Sequence, residues 1–412
     1  MPAASVVTVV MAIGASTVAN SIGVNTHIDF KKYGYQNLAI TAASINYLGV
    51  KNLRDCPGNA SDLGANGAWQ KIADATGAKF DAYMTEGSPA SDMANLRFAT
   101  LLAKQGILNF IEGGNENDDA YAIAQGNSLA WTATFQQQVF ATGRALGLPV
   151  INMSFGSGWT PQNSYRGNYD KVGDLSQFAD YANAHTYPTK AQMPGASIRR
   201  LNANALLAAA SRPVITTEIG WNNSQISTAD AARFALDAVF DGIKHGNPKT
   251  YFYALFDDAS GKFGLMNQDG SPKPAGAALH NLTAILADNG APRTDSLNYG
   301  LTGVTANDSS LLMEKSDGTF QLALWNEADA DHAVTLTLGA VAPTIKLYDP
   351  LTDASAIQTV PNASSITVNV PTHPVIVEMA ASTARRSPVP SSPPVMGKLR
   401  TGEPALPSRL PQ

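Results

Sequence analysis

The chain has 412 residues, of which 44% are hydrophobic and 15% are charged, and its formal net charge at pH 7 is −5. This composition excludes a chain that is disordered throughout, and the absence of a basic cluster in the apolar-rich part argues against a nucleic-acid partner. The single cysteine, Cys56, excludes a disulfide within the chain. We expect Cys56 to be a small buried hydrophobic residue.

Residues 1–19 are apolar, rich in small side chains and free of Lys and Arg. Two interpretations stay open at this point. A secretion signal without its usual basic start would predict a secreted or periplasmic protein. Alternatively, residues 5–11 form an N-terminal strand that pairs with a later sheet. No other apolar run approaches the ~20 residues that span a bilayer, so we expect no membrane partner.

From residue 20 to residue 292, short apolar runs alternate with segments of helical periodicity. Strands are predicted at 21–27, 50–54, 79–84, 107–111, 149–155, 178–185, 213–217 and 251–256. Helices are predicted at 37–48, 69–76, 91–104, 128–146, 198–210, 228–245 and 274–286. This rhythm predicts an α/β fold, a (β/α)8 TIM barrel of about 270 residues. A doubly wound sheet fits less well, because no dinucleotide fingerprint follows the first strand, and no cofactor is expected.

The rhythm changes after about residue 293. Six short strands are predicted at 310–314, 319–325, 333–338, 344–348, 365–370 and 374–378, with turns and no helix signal between them. Residues 293–380 are therefore predicted to form an antiparallel β-sandwich that packs on the barrel. From residue 381 the composition turns to Pro, Ser and Arg, which predicts a disordered tail over 381–412.

Two glutamates stand at predicted strand ends, the edge of a barrel that carries catalytic groups. Glu116 lies in the polar stretch after the fourth strand, and Glu218 follows the run 213–217. Glycoside hydrolysis needs two such carboxyl groups, and in its retaining form they lie about 5–5.5 Å apart. Glu112 is a rival acid that we expect instead to ion-pair within the barrel mouth. Asn115 is a candidate hydrogen-bond donor to the 2-hydroxyl of a sugar.

Further candidates lie at other strand ends or near them. They are Asn25, His27, Arg54, His185 and Tyr187 at strand ends, and the aromatic residues Trp159 and Trp221 near the mouth. Aromatic faces stack on sugar rings, and Trp221 is the best candidate because it follows Glu218 closely. The His residues are isolated rather than paired on one strand, so no metal is expected. An inactive barrel that binds carbohydrate and a metal-dependent barrel hydrolase remain as alternatives.

Two dipeptides carry a resemblance to a known family. Asn115-Glu116 after the fourth strand and Thr217-Glu218 after the seventh resemble the acid/base and nucleophile motifs of the clan-A glycoside hydrolases, which are retaining (β/α)8 enzymes. The resemblance implies that Glu116 is the acid/base and Glu218 the nucleophile, held and tuned by Arg54 and Tyr187. It spans roughly residues 20–290. The appended β domain is similar to that of the β-xylosidase, β-glucuronidase and arabinofuranosidase-like branches.

This chain departs from the family pattern at two places. Asn117 stands where many relatives have Pro, and the eighth strand ends in Phe256-Asp257-Asp258 where relatives often have Trp. The function that the resemblance implies is hydrolysis of O-glycosidic bonds in a β-linked glycan or polysaccharide by a two-glutamate double displacement. The expected partner is therefore an oligo- or polysaccharide substrate. The sugar, the linkage, the choice between exo and endo action and the oligomeric state stay open.

Overall fold

The structure is a computed structural model that describes residues 7–380, with gaps at 59, 86, 159, 161, 163, 190, 191, 328 and 329. These residues belong to one structural unit that ends at Ser382. Trp159 and the tail predicted at 381–412 lie outside the described residues. No helix in the described part of the chain has the length and hydropathy of a transmembrane span.

The strands and helices are numbered in chain order. The strands are β1 (Thr8–Met11), β2 (Ile13–Gly14), β3 (Ile22–Asn25), β4 (Asn52–Asp55), β5 (Lys79–Met84), β6 (Leu108–Gly114), β7 (Val150–Ile151), β8 (Ala182–Thr186), β9 (Val214–Ile219), β10 (Thr250–Phe252), β11 (Ser296–Thr302), β12 (Asp308–Glu314), β13 (Phe320–Asn326), β14 (His332–Tyr348), β15 (Ala356–Val370) and β16 (Val375–Met379). The helices are α1 (Ala15–Ala19), α2 (Leu38–Leu48), α3 (Ala68–Thr76), α4 (Pro89–Ala103), α5 (Ala120–Ala124), α6 (Leu129–Leu146), α7 (Pro194–Ala208), α8 (Thr228–Lys244) and α9 (Pro274–Ile285).

Strands β3 to β10 form one sheet of eight parallel strands in which neighbours in the chain are neighbours in the sheet. Strand β10 also pairs with β3, and a parallel bridge between Ile151 and Tyr181 joins β7 to the segment that leads into β8. The sheet therefore closes into a barrel, and the predicted α/β architecture of eight parallel strands is confirmed. The carboxyl ends of the strands, where the predicted site residues lie, meet at one edge of this barrel.

Local sequence signals place the barrel helices. The side chain of Asn37 accepts the backbone N–H groups of Ala39 and Ile40 at the start of α2, and Ser128 accepts that of Trp131 at the start of α6. Gly49 ends α2 in the left-handed region with φ 71°, where a residue without Cβ is unstrained. The amphipathic segments between these caps then pack on the barrel strands.

The remaining strands form a second eight-stranded sheet in the order β1-β11-β14-β16-β13-β12-β2, with β15 paired to β14. The prediction of six antiparallel strands is wrong in several respects. The sheet is mixed, because β2 runs parallel to β12, and two of its strands come from the N-terminus. The segments predicted at 333–338 and 344–348 are one strand, β14, whose register shifts between Thr337 and Ala342. Strand β11 was missed because its residues lack a regular apolar alternation.

The N-terminal segment contributes two strands to the second sheet and a short helix to the barrel core. Thr8 pairs with Tyr299 of β11, so β1 is a strand of the second sheet. The short helix α1 that follows buries Ala15 and Val18 completely in the cluster that forms the barrel core. A protein cut after Ala19 would therefore lose two strands and part of the core.

Deletion of residues 1–19 is expected to lower the free energy of unfolding by about 3 kcal/mol or more, because complete burial of Val18 alone stabilises a fold by about 1.5–3 kcal/mol. Chemical denaturation monitored by circular dichroism measures this difference. Val9→Ser is the control, since Val9 in β1 is 68% exposed. A truncated chain as stable as the full chain would show that β1, β2 and α1 add nothing to the fold.

One face of the second sheet shares a buried core with the barrel. Met313, Ala323, Trp325 and Ile376 of the second sheet belong to the same buried cluster as the barrel helices. The ring of Trp325 lies 5.5 Å from that of Phe240 on α8, and its indole N–H donates to Asp241 at 3.0 Å. The second sheet is thus joined to the outer face of the barrel by apolar and polar contacts.

Candidate active site

The structure brings most of the predicted site residues to the carboxyl-end edge of the barrel strands. Hydrogen bonds or ion pairs connect one set of them directly, namely Asn25, Arg54, Asn115, Glu116, His185, Tyr187 and Glu218. They come from β3, β4, β6, β8 and β9 or from the residues directly after these strands. Residues that are far apart in sequence thus form one polar network.

The two predicted catalytic glutamates lie face to face. One carboxylate oxygen of Glu116, one of Glu218 and Nδ1 of His185 all lie within 4.8 Å of one another. The side chain of Glu218 is 8% exposed, whereas that of Glu116 is 25% exposed. Retaining glycosidases hold their carboxyl groups about 5–5.5 Å apart and inverting ones about 6.5–9.5 Å apart. The short separation leaves no room for a water molecule between the glutamate and the sugar, so it matches the retaining geometry.

Glu116 has a left-handed backbone conformation with φ 47°, which is uncommon for a residue with a side chain. Its backbone N–H donates to Oγ of Ser154 at 3.2 Å. Gly156 approaches its carboxylate so closely that a Cβ there would lie 2.6 Å from Oε2 of Glu116. The segment after β7 therefore holds Glu116 in place, and Gly156 is required for that close approach.

The residues after Glu116 are structural rather than solvated. Asp118 is 3% exposed, and its carboxylate accepts the backbone N–H of Gly156 at 2.9 Å and the side-chain amide of Asn168 at 2.7 Å. Asn117 is buried and donates to Asp92 on α4 at 3.1 Å. The side chains of Asn117 and Asp118 thus each anchor a neighbouring segment. In this chain Asn117 thus ties the Glu116 turn to α4.

Arg54 organises the network. It is fully buried, and it donates all five of its N–H groups. It binds both oxygens of Glu112 at 2.7 Å and Oε1 of Glu218 at 2.7 Å. Its other acceptors are Oδ1 of Asn25 at 2.8 Å and Oδ1 of Asn115 at 2.6 Å. Glu112 therefore ion-pairs in the barrel mouth, as the sequence analysis preferred, and Asn25 is a fully buried support for Arg54.

The charges around Glu218 favour its ionised form. Burial acts to raise its pKa, but the charges of His185 and Arg54 and the hydrogen bond from Tyr187 outweigh burial and hold the pKa below its ordinary value. Burial acts to lower the pKa of His185, and the nearby Glu218 and Glu116 carboxylates raise it above its ordinary value. Burial raises the pKa of Tyr187 well above 10, so its hydroxyl stays a donor.

An aromatic wall flanks Glu218, and sequence reasoning missed most of it. The ring of Tyr253, directly after β10, lies 5.5 Å from that of His27 and 5.6 Å from that of Phe263. Phe30 is 40% exposed and stacks on His27 at 4.6 Å. Tyr187 contacts Tyr253 at 6.2 Å. Burial lowers the pKa of His27 to about 4, so this ring is neutral. The strand predicted at 251–256 includes Tyr253, but in the structure this strand ends at Phe252 and Tyr253 lies just beyond its end. A shorter eighth strand would have placed Tyr253 among the candidate site residues.

The expected sugar platform, Trp221, lies elsewhere. It is 5% exposed, belongs to the barrel core and packs against Phe234 of α8 with ring centroids 5.9 Å apart. The prediction that its face meets a sugar ring is therefore wrong, because the chain after β9 turns this side chain inward. Partly exposed rings near Glu218, among the residues that the structure describes, include those of Phe30, Tyr187, Tyr253 and Phe263.

Glu116, His185 and Glu218 also form, among the described residues, the one cluster of three potential metal ligands whose ligand atoms lie close enough to share an ion. Metal-ligating histidines usually donate their second ring N–H to a fixed partner. Nε2 of His185 is buried without such a partner in the part of the chain described. The cluster thus has the ligands of a metal site but not the usual support for its histidine.

Solved structures with low sequence identity share this fold. A family 39 glycoside hydrolase from the gut symbiont Bacteroides cellulosilyticus WH2 is 16% identical with a TM-score of 0.58, over 88% of this chain and 82% of that chain. A monomeric β-xylosidase from Caulobacter crescentus CB15 is 13% identical with a TM-score of 0.58, over 87% and 96%. The catalytic domain of GH30 xylanase C from Talaromyces cellulolyticus is 14% identical with a TM-score of 0.55, over 90% and 100%.

The chain has the fold of the clan-A glycoside hydrolases. The resemblance first carried by Asn115-Glu116 and Thr217-Glu218 is thus confirmed at the level of the fold. No protein-family model and no curated protein sequence matches the chain. The roles of the individual residues therefore depend on the geometry of the site itself.

Proposed function

We propose that the protein is a retaining glycoside hydrolase that cleaves O-glycosidic bonds of a β-linked glycan. The observation that carries the proposal is the approach of the Glu116 and Glu218 carboxylates to within 4.8 Å at the mouth of a parallel barrel. The two environments differ as the mechanism requires. Glu218 is enclosed and held ionised, and Glu116 is the more exposed of the two.

In the first step, a carboxylate oxygen of Glu218 attacks the anomeric carbon while Glu116 gives its proton to the leaving oxygen. The bond from the anomeric carbon to that oxygen breaks, and a glycosyl ester of Glu218 forms. Arg54 and Tyr187, which hold the carboxylate before the attack, orient it toward the sugar.

In the second step, Glu116 acts as a base and takes a proton from water, which attacks the same carbon and displaces Glu218. Two inversions give a product of retained configuration. Nδ1 of His185 lies 2.7 Å from Glu116 and 3.5 Å from Glu218, so it fixes the two carboxylates relative to each other through both steps.

Two observations suggest the substrate class. Structural neighbours include proteins described as a β-xylosidase and a xylanase. The aromatic wall beside Glu218 offers apolar ring faces, which stack on the apolar faces of pyranose rings. We therefore propose β-xylosides and β-linked plant-wall glycans as the first substrates to examine. We also propose that the second sheet folds as a two-layered sandwich, since β14 pairs first with β11 and beyond its register shift with β16.

A panel of aryl β-glycosides and β-linked polysaccharides, with the product anomer followed by proton NMR, tests the function. We expect the β-anomer to form first on an active β-glycoside. An α-anomer formed first would contradict the retaining mechanism. Glycan binding without release of reducing ends across the panel would instead support an inactive, carbohydrate-binding barrel.

A metal-dependent hydrolase is the second candidate, because Glu116, His185 and Glu218 could hold an ion. In that case chelation with EDTA would abolish activity and Zn²⁺ would restore it. In the two-glutamate mechanism, EDTA-treated protein keeps its full kcat, because carboxyl groups perform both steps. The same glycoside assay with and without chelator separates the two functions.

The pH profile depends on His185. Its positive charge helps to lower the pKa of Glu218, which must be ionised to attack. Removal of that charge in His185→Gln raises the pKa of Glu218, so the acid limb of the kcat/KM profile moves to higher pH by about one unit or more. His280→Gln is the matched control, because His280 stacks on Tyr47 away from the network. An acid limb that stays in place in His185→Gln would contradict the assigned charge of His185.

A further inference from the structure

A carboxylate of the second sheet caps a helix of the barrel. Glu327 directly follows β13, and its Oε1 accepts the backbone N–H of Gly195 at 2.8 Å. Gly195 is the second residue of α7, and the preceding Met193 supplies no side-chain cap. The first N–H groups of a helix lack partners within the helix, and the helix dipole favours a negative charge there. Glu327 supplies both an acceptor and that charge.

The contact is sterically specific. A Cβ on Gly195 would lie 2.9 Å from each carboxylate oxygen of Glu327 and 3.0 Å from the carboxyl carbon of Asp241. Gly195 does not have a positive φ, so close approach is the reason for a glycine at this position. Asp241 on α8 is fully buried and accepts the indole N–H of Trp325. Three elements, α7, α8 and β13, thus meet around one carboxyl pair.

The two carboxyl groups can lie side by side when Asp241 is protonated. Burial and then the charge of Glu327 raise the pKa of Asp241 well above its ordinary value. A neutral Asp241 can donate a hydrogen bond to the carboxylate of Glu327. Burial and the nearby Asp241 and Glu327 also raise the pKa of Asp237, one turn earlier on α8. The cations that face this cluster are Arg233 and Lys244.

Helix α7 follows the segment that carries Tyr187. Tyr187 comes directly after β8, and its hydroxyl donates to Glu218. Within the described part of the connection, the backbone N–H of Gln192 donates to the carbonyl of Thr189 at 2.9 Å, and Oγ of Ser197 in α7 donates to the Gln192 side chain at 3.2 Å. The start of α7 and the segment after Tyr187 are therefore tied together by hydrogen bonds.

We propose that Glu327 is a positioning residue through which the second sheet holds the start of α7 and thereby keeps Tyr187 against the nucleophile Glu218. The inference rests on the proposed function for its catalytic consequence, but the contact itself does not. It gives the second sheet a role in the reaction besides stability. Without the second sheet, the barrel would lack the contact that holds Tyr187 in place.

The variants Glu327→Ala and Glu327→Gln test the proposal, with Glu378→Ala as the matched control. Glu378 is a carboxylate of the same sheet that binds Lys346 at 3.4 Å and Lys315 at 3.6 Å. Hydrogen–deuterium exchange measures how well the contact protects the amides of α7, and it needs no substrate. We expect the amides at the start of α7 to exchange about tenfold faster in Glu327→Ala, which corresponds to about 1.4 kcal/mol. Glu327→Gln keeps an acceptor oxygen but loses the charge, so its exchange should lie between that of the parent and that of Glu327→Ala, whereas Glu378→Ala should exchange like the parent. Unchanged exchange in Glu327→Ala would overturn the cap.

Steady-state kinetics on an active glycoside measures the effect of the same variants on catalysis. We expect Glu327→Ala to lower kcat about tenfold with little change in KM, and Glu327→Gln to restore most of it. In a Tyr187→Phe background, Glu327→Ala should have no further effect on kcat, because both changes act through the same hydroxyl. Faster exchange with an unchanged kcat, or equal losses in both backgrounds, would overturn the link to Tyr187. If no substrate is found, the exchange result still decides whether Glu327 holds α7.

Discussion

Replacing Glu218 by alanine is expected to lower kcat by about 10⁴- to 10⁶-fold on any glycoside that the protein hydrolyses, the range found when a member of a nucleophilic catalytic unit is removed. The reason is that the glycosyl ester cannot form without this carboxylate, which β9 places within 4.8 Å of Glu116. Single-turnover and steady-state rates on an aryl β-glycoside measure the loss. Residual activity above one hundredth of the parent would rule out Glu218 as the nucleophile.

Azide sharpens the assignment of the two glutamates. In Glu218→Ala, the vacated space admits a small anion on the face of the sugar from which the carboxylate attacks, and one inversion gives an α-glycosyl azide. In Glu116→Ala, an aryl leaving group departs without a proton, the glycosyl ester on Glu218 still forms, and azide then gives a β-glycosyl azide. Product NMR distinguishes the two anomers. The opposite pairing of anomers would exchange the two roles.

The positions of Glu116, Glu218 and Arg54 were predictable because a closed parallel barrel brings its strand ends to one edge. A residue's place at the end of a strand then determines its place in the molecule, even where strand lengths are wrong. The strand predicted at 149–155 is only Val150–Ile151 in the structure. Beyond it, the N–H of Asn152 bonds to Tyr181 and that of Ser154 bonds to Gly114, which ends regular pairing.

Side-chain direction beyond a strand end was not predictable. Trp221 follows Glu218 closely in sequence but turns into the core. Gly220, the residue between β9 and Trp221, packs so tightly that a Cβ would lie 2.4 Å from the carbonyl oxygen of Tyr253. The same tight packing places Tyr253 beside the site. A spacing rule cannot report such contacts, since they depend on strands that are distant in the chain.

The N-terminus shows a second limit of pattern reasoning. An apolar run of small residues suits a secretion signal and an edge strand equally well, since both need apolar side chains. What makes Thr8–Met11 a strand is its partner β11, whose residues lie nearly the whole length of the barrel further along the chain. Glu327 is a similar case, because its role depends on a hydrogen bond from Gly195, which lies on a helix that is distant in the sequence.

Replacement of Arg54 by alanine is expected to lower the free energy of unfolding by about 3–5 kcal/mol, the cost of leaving a buried ion without its partner. Two carboxylates lose their counterion, since Arg54 binds Glu112 and Glu218 and is itself fully buried. Arg54→Lys should recover only part of the loss, because an ammonium group has three donors and lacks the planar fork that binds Glu112 at both oxygens. Urea denaturation measures these differences.

The pH dependence of this loss follows from Glu218. In the parent its pKa is lowered, so its contribution to stability is present above the unfolded pKa and is lost as the pH falls through the folded pKa. Without Arg54 the buried carboxylate is no longer compensated, its pKa rises, and the deficit is greatest near neutral pH and shrinks as the pH falls toward 4. Arg54→Met combined with Glu112→Gln should be more stable than Arg54→Ala, because the double variant also removes one of the uncompensated charges. A deficit that is the same at pH 4 and pH 7 would mean that Arg54 stabilises the barrel by packing, with Tyr83 at 4.2 Å as the contact that accounts for it.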